Sequence, residues 1–114
     1  MTFVEYQELS RRTRRYEDEK SIFNATLGIA GEAGEVADVV KKSTFHGHPV
    51  DRAKVAEELG DLLWYASWLA DLHSLTLAGI AEGNIAKLKR RYPEGFSEER
   101  SRNRGGGMNH GIDT

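Results

Sequence analysis

Cysteine is absent from this chain. No disulfide framework and no thiolate metal site can therefore form. Proline occurs only at positions 49 and 93, and neither falls inside a segment of helical periodicity, so nothing forces a break in a long helix. No apolar run approaches the ~18 residues of a membrane-spanning helix, and Met1 is not followed by the pattern of a secretory leader. A soluble cytoplasmic protein with no membrane partner is the expectation. A dominant charge is lacking too: 16 basic against 18 acidic side chains leave a net charge of −2. So weak a field predicts no nucleic-acid partner. Sustained alternation of period two, the mark of strands, is missing, as is any internal repeat of roughly 20–50 residues.

What remains is helical. The 114 residues read as one domain over 1–97, followed by a polar, glycine-rich tail over 98–114 that is expected to be flexible. Four helices are legible. The first is expected from about Thr2 to Tyr16, with Thr2 and Glu5 forming a capping box. Tyr6, Leu9, Thr13 and Tyr16 share one face, and Arg11, Arg12, Arg14 and Arg15 read as its solvated remainder. The second runs from about Ser21 to Lys42, with Ile22, Ile29, Ala33, Val36 and Val40 as an apolar stripe. Gly28 and Gly31 keep the flank of that stripe open although glycine costs a helix up to ~1 kcal/mol each. STFHGHPV is expected to be a loop. Asp51 caps a third helix reaching about His73, whose core face holds Val55, Leu59, Leu62, Leu63, Ala66, Leu69 and Ala70. The fourth runs from about Leu75 to Arg91 with Leu77, Ala81, Ile85 and Leu88 inward. A helical core drawn from about 95 residues is small and is commonly completed by a second copy. The expected architecture is an all-α, four-helix antiparallel bundle-type subunit with its core completed by homo-oligomerisation.

The chemistry-bearing pattern is a pair of acidic pairs. Glu32 and Glu35 in GEAGEV are three apart, and so are Glu58 and Asp61 in EELGD. On a helix, residues three apart are surface neighbours. Both pairs border an apolar stripe, where unpaired carboxylates are costly. Two such pairs on facing helices would bring four carboxylates to one small volume, tolerable only with positive charge between them. Oxygen-only ligands favour Mg²⁺, with Mn²⁺ as a substitute, over zinc. Di-iron bundles use Glu-x-x-His spacings, and no histidine stands three residues after Glu32, Glu35 or Glu58.

Asn84, Lys87 and Arg91 line one border of the fourth helix, either as an ordinary polar edge or as a clamp whose cations donate charge-assisted hydrogen bonds to phosphate. Trp64, Tyr65, Trp68 and Phe23 read as core or interface, unless a ring lies exposed beside the metal site where a base can stack. His46 and His48 are loop residues first and substrate contacts second.

GEAGEV, then VKK and FHGH, then EELGDLLWY, then NIAKLKRRYPEGF, in that order, resemble the MazG-like family of all-α nucleoside triphosphate pyrophosphohydrolases over about residues 3–97. The resemblance implies a dimer or dimer of dimers that converts a nucleoside triphosphate to the monophosphate and pyrophosphate with Mg²⁺. The family's metal motif, Glu-Glu-x-x-Glu followed by Glu-x-x-Asp, carries over to Glu32, Glu35, Glu58 and Asp61. Its first Glu is Gly31 here, which leaves one role unfilled and the number of metal ions open. The family's phosphate-contacting residues match Asn84, Lys87 and Arg91 more loosely; Trp64 and Trp68 are further substrate-binding candidates. Glu35 or Glu32 is the expected acceptor of the attacking water's proton. Two rival readings share the fold: a nucleotide-binding regulatory protein with weak or no turnover, and a helical interaction module with acidic pairs on its surface.

Overall fold

The computed structural model describes residues 1–15 and 17–95; the expected tail at 98–114 and Tyr16 lie outside them. The described residues are helical: α1 (Phe3–Ser10), a short 3-10 turn (Arg11–Thr13), α2 (Ser21–His46), α3 (Arg52–Leu72) and α4 (Leu77–Arg91). They contain no β-strand, in keeping with an all-α fold. Two compact units divide the chain, Met1–Thr76 with α1 to α3 and Leu77–Thr114 with α4.

In the first unit, α1 opens on the expected capping box. Thr2 Oγ1 accepts from the Glu5 backbone N–H at 3.1 Å, and the Glu5 carboxylate accepts from the Thr2 backbone N–H at 2.9 Å. The helix is shorter than the sequence predicts. The Ser10 and Thr13 hydroxyls donate to the carbonyls of Gln7 and Ser10, each at 2.9 Å, and the backbone tightens there before Arg14 turns extended. Its buried side chains are Gln7 and Ser10, while Leu9 is 40% exposed. Of the expected face, Tyr6 is half-buried and Thr13 Oγ1 accepts from Trp64 of α3. Leu9 turns outward, however, and the buried contact runs through Gln7 and Ser10 because α3 presents polar groups there.

Those groups form a polar seam. The Ser10 and Ser67 hydroxyls lie 2.9 Å apart, and since Ser10 gives its proton to Gln7, Ser67 donates. Gln7 Nε2 donates to Asp71 Oδ1 at 2.7 Å and to the Leu75 carbonyl at 3.1 Å. Arg11 grips Asp71 with two hydrogen bonds of 2.9 and 2.7 Å, and Arg14 adds a third at 2.7 Å. The Arg14 side chain is only 7% exposed. Arg11 and Arg14 are thus not a solvated face but the partners of one carboxylate more than fifty residues away in the chain.

α2 starts where the Asp18 N–H donates to Ser21 Oγ and the Ser21 N–H donates to the Asp18 carbonyl. It continues through Ser43-Thr44-Phe45-His46, where the sequence predicts a loop. Nothing breaks a helix before Gly47, whose left-handed conformation (φ 71°) ends it. Asp51 then caps α3 by accepting from the Lys54 backbone N–H at 3.0 Å. α3 ends where Ser74 takes a positive φ of 57°.

α2 and α3 make the main helix contact of this unit. The face α2 turns inward carries Ser21, Ala25, Gly28, Glu32, Val36, Val39 and Ser43. Of the expected stripe, Ile29 and Val36 are half-buried, but Ile22, Ala33 and Val40 are exposed, as are Phe23, Leu27 and Phe45. Small residues set this choice, since Ser21, Ala25 and Gly28 let α3 approach closely. A Cβ at Gly28 would overlap the Tyr65 ring, whereas one at Gly31 would meet nothing within 4 Å. Of the two glycines, only Gly28 makes room for a neighbour. On α3, Ser67, Trp68 and Ala70 are buried, but Leu59 is 50% exposed, contrary to its expected core position. In the second unit, Leu77 is buried while Ile85 and Leu88, expected inward, are exposed.

Candidate functional site

The inward face of α2 carries Glu32 at its middle, and α3 presents Glu58 and Asp61 one turn apart. One carboxylate oxygen from each lies within 4.8 Å of the others. Glu58 is 5% exposed, Glu32 is half-buried and Asp61 exposed. Glu32 Oε2 is itself buried and has no hydrogen-bond donor in reach. When both are ionised, Glu32 and Glu58 offer each other only acceptors, so the pair is relieved by sharing one proton. The Glu32 carboxyl is accordingly pushed up to about 7, first by hydrogen bonding to Glu58, then by burial, then by the charges of Glu58, Asp61 and Glu35. Glu58 is held below its ordinary value by that same bond and by Lys54.

Lys54, one turn before Glu58, places Nζ 3.0 Å from Glu58 Oε1 and 3.4 Å from Glu57 Oε2. Its ammonium is pushed up to about 12, chiefly by Glu58 and then by Glu57. Tyr6 of α1 stands near enough to Asp61 for that charge, after burial, to raise its phenol. Neither residue is among the sequence candidates. Lys54 was findable, being four residues from Glu58 on the same helix face. Tyr6 was not, because its position depends on how α1 docks.

Of the four expected acids, then, Glu32, Glu58 and Asp61 converge. Glu35 is exposed outside that set, close enough to influence Glu32. It lines a cavity of about 570 Å³ together with Lys42, His48, Asp51 and Lys54. The three convergent groups suit a hard cation: they are oxygen donors, one is a buried orphan, and one lysine does not balance their charge. No cysteine is present, and the three are all carboxylates.

Trp64, Tyr65 and Trp68 of α3 form a second feature. Trp64 meets Tyr65 edge-on at 5.1 Å, and Tyr65 stacks near Trp68 at 6.4 Å. Trp64 Nε1 donates to Thr13 Oγ1 at 2.7 Å. All three rings line a cavity of about 410 Å³ that also meets Arg14, Lys20 and Asn24. Trp68 is buried and Trp64 half-buried. Asn84, Lys87 and Arg91 belong to α4, where Asn84 is exposed and Lys87 and Arg91 are half-buried. No helix among the described residues is long and apolar enough to cross a membrane.

Comparison with known proteins places this chain in a family. Residues 20–96 match the family model of the MazG nucleotide pyrophosphohydrolase domain. The Gene 37 protein of Mycobacterium phage L5 is 35% identical over 83 residues, which cover 69% of this chain and 73% of that protein. No solved structure matches the chain significantly.

Proposed function

The chain belongs to the MazG nucleotide pyrophosphohydrolase domain family, and from that premise we propose that it is a divalent-metal-dependent nucleoside triphosphate pyrophosphohydrolase, releasing pyrophosphate and a monophosphate from an NTP or dNTP. The observation that carries this reading is the convergence of Glu32, Glu58 and Asp61 within 4.8 Å. These three would hold Mg²⁺, or Mn²⁺ in its place, with Glu35 beside them. Such an ion, when bound, neutralises phosphate oxygens and lowers the pKa of a bound water.

The remaining work falls to the chain's own groups. Glu35, exposed and outside the three-oxygen set, accepts the attacking water's proton. Asn84, Lys87 and Arg91 hold the phosphates, gaining rate through positioning. Trp64 and Trp68 present ring surface to the base at the aromatic cavity. The exposed Ile22, Phe23, Leu27, Val40 and Phe45 of α2 support a homo-oligomer, a dimer or dimer of dimers, since apolar area on this scale marks an interaction surface. The cellular purpose is control of nucleotide pools.

Pyrophosphate release from a panel of NTPs and dNTPs with Mg²⁺ tests the reading. At least one substrate is expected to turn over well above background. Release from none would favour a second reading, nucleotide binding without turnover, which Gly31 supports by standing where the family motif has its first Glu.

A further inference from the structure

We propose that Lys54 is a tethered counter-ion of the acidic cluster, displaced when a divalent cation binds and then available to the substrate's phosphates. This rests on the cluster being the cation site. Lys54 Nζ lies 3.0 Å from Glu58 Oε1, and Glu58 is the most buried of the three convergent acids. An incoming cation and the ammonium therefore compete for one carboxylate, and at such distances two positive charges repel. The second partner, Glu57, is 3.4 Å away and 62% exposed, and a solvated pair of that kind holds a lysine weakly.

Lys54 has somewhere to go. Its side chain is 45% exposed on a flexible four-carbon stem, and it lines the cavity of about 570 Å³ with Lys42, His48 and Glu35. Lys42 already pairs with Asp38 at 3.1 Å. Cation binding thus frees Lys54 in the cavity that it lines together with Glu35, and an ammonium there is a point-charge donor for phosphate oxygens. The two roles have opposite effects on the two ligands. Lys54 lowers affinity for the bare cation and raises affinity for the cation-bound triphosphate. A merely structural ion pair gives no such opposition.

The test uses the full chain with Lys54→Met, which keeps the aliphatic stem. Free Mn²⁺ is measured by electron paramagnetic resonance without nucleotide, and binding of a non-hydrolysable NTP analogue is measured at saturating Mg²⁺. Mn²⁺ affinity is expected to rise about fivefold, the size of one close charge interaction in high dielectric, while analogue affinity falls by about the same factor. Lys54→Arg should stay near wild type in both. Unchanged or weaker Mn²⁺ binding by Lys54→Met overturns the proposal, as does unchanged analogue binding. Should Lys54→Met lose its helical circular dichroism, Lys54→Gln takes its place. The Mn²⁺ measurement needs no turnover, so a wild-type protein that hydrolyses nothing leaves it decisive. A flat Mn²⁺ response in an active enzyme removes Lys54 alone. Failure of both proteins to bind Mn²⁺ removes the premise and the proposal together.

Discussion

Glycine to alanine is expected to act with opposite sign at two positions one turn apart on α2. Alanine is preferred over glycine inside a helix by ~1 kcal/mol. At Gly31 an added Cβ meets nothing within 4 Å, so Gly31→Ala should stabilise the fold by about 0.5–1 kcal/mol. At Gly28 the same atom would overlap Cδ1, Cε1 and Cζ of Tyr65. That ring packs against both Trp64 and Trp68, at centroid distances of 5.1 and 6.4 Å, so moving it disturbs ring contacts on two sides. Overpacking of this kind costs about 1–3 kcal/mol, so after the helix-propensity gain of ~1 kcal/mol Gly28→Ala should lose up to about 2 kcal/mol. With a urea m-value of about 1–2 kcal/mol per molar, the two midpoints should differ by roughly 1 M. Urea titrations by far-ultraviolet circular dichroism, at one protein concentration, provide the numbers. Near-ultraviolet spectra should change for Gly28→Ala alone. Two variants shifted in the same direction by similar amounts would refute the close approach of Gly28 and Tyr65.

Asp71 is held at about 2, below its ordinary 3.8, first by Arg11 and then, against the opposing effect of burial, by Arg14 and Gln7. Its folded-state value is depressed, so the stabilisation is present above pH ~4 and is lost as pH falls toward ~2. Asp71→Asn should erase that acid-sensitive step and, by leaving the nearly buried Arg14 only the exposed Glu17 at 3.6 Å as an ionic partner, cost about 1–3 kcal/mol after allowance for solvent around Arg11; an unaltered urea midpoint across pH 2–7 would reject this. Glu32 behaves in the opposite sense. Its raised value means that its contribution is complete below pH ~4.5 and is lost as pH rises through about 7. Thermal melts of the metal-free protein should show that slope, and Glu32→Gln should flatten it. Asp61→Asn and Glu35→Gln should each abolish pyrophosphate release in a folded protein, with Mn²⁺ affinity falling more for Asp61→Asn; activity in both would reject the site assignment. Lys87→Ala should weaken nucleotide binding more than metal binding, and equal losses would argue against a phosphate clamp.

Local signals were readable from the chain, and long-range ones were not. The Thr2–Glu5 box and the Asp51 cap follow from interactions three residues apart and appear as expected. That Glu58 and Asp61 share one side of α3 was accessible because helical spacing fixes which residues lie a turn apart. Their meeting with Glu32 across two helices was expected from the cost of unpaired carboxylates on an apolar border and from the family motif. Which face α2 turns to α3 was misread. Hydrophobic periodicity singled out Ile22, Ile29, Ala33, Val36 and Val40, of which only Ile29 and Val36 are half-buried, while the most buried contact formed through Ser21, Ala25 and Gly28, where closeness of approach outweighs apolar area. The burial of Arg14 against Asp71 was equally hidden, since nothing near RRTRRY in sequence reveals a partner on α3.

The polar seam between α1 and α3 acts like the teeth of a vernier. Two greasy helices can slide past one another and regain most of their contact at neighbouring settings. Here a slip of one turn, ~5.4 Å along the axis, would unmake the Ser10–Ser67 and Gln7–Asp71 bonds together. The seam permits one setting, and that setting is the one that holds Tyr6 within reach of the charge of Asp61, at the edge of the carboxylate cluster.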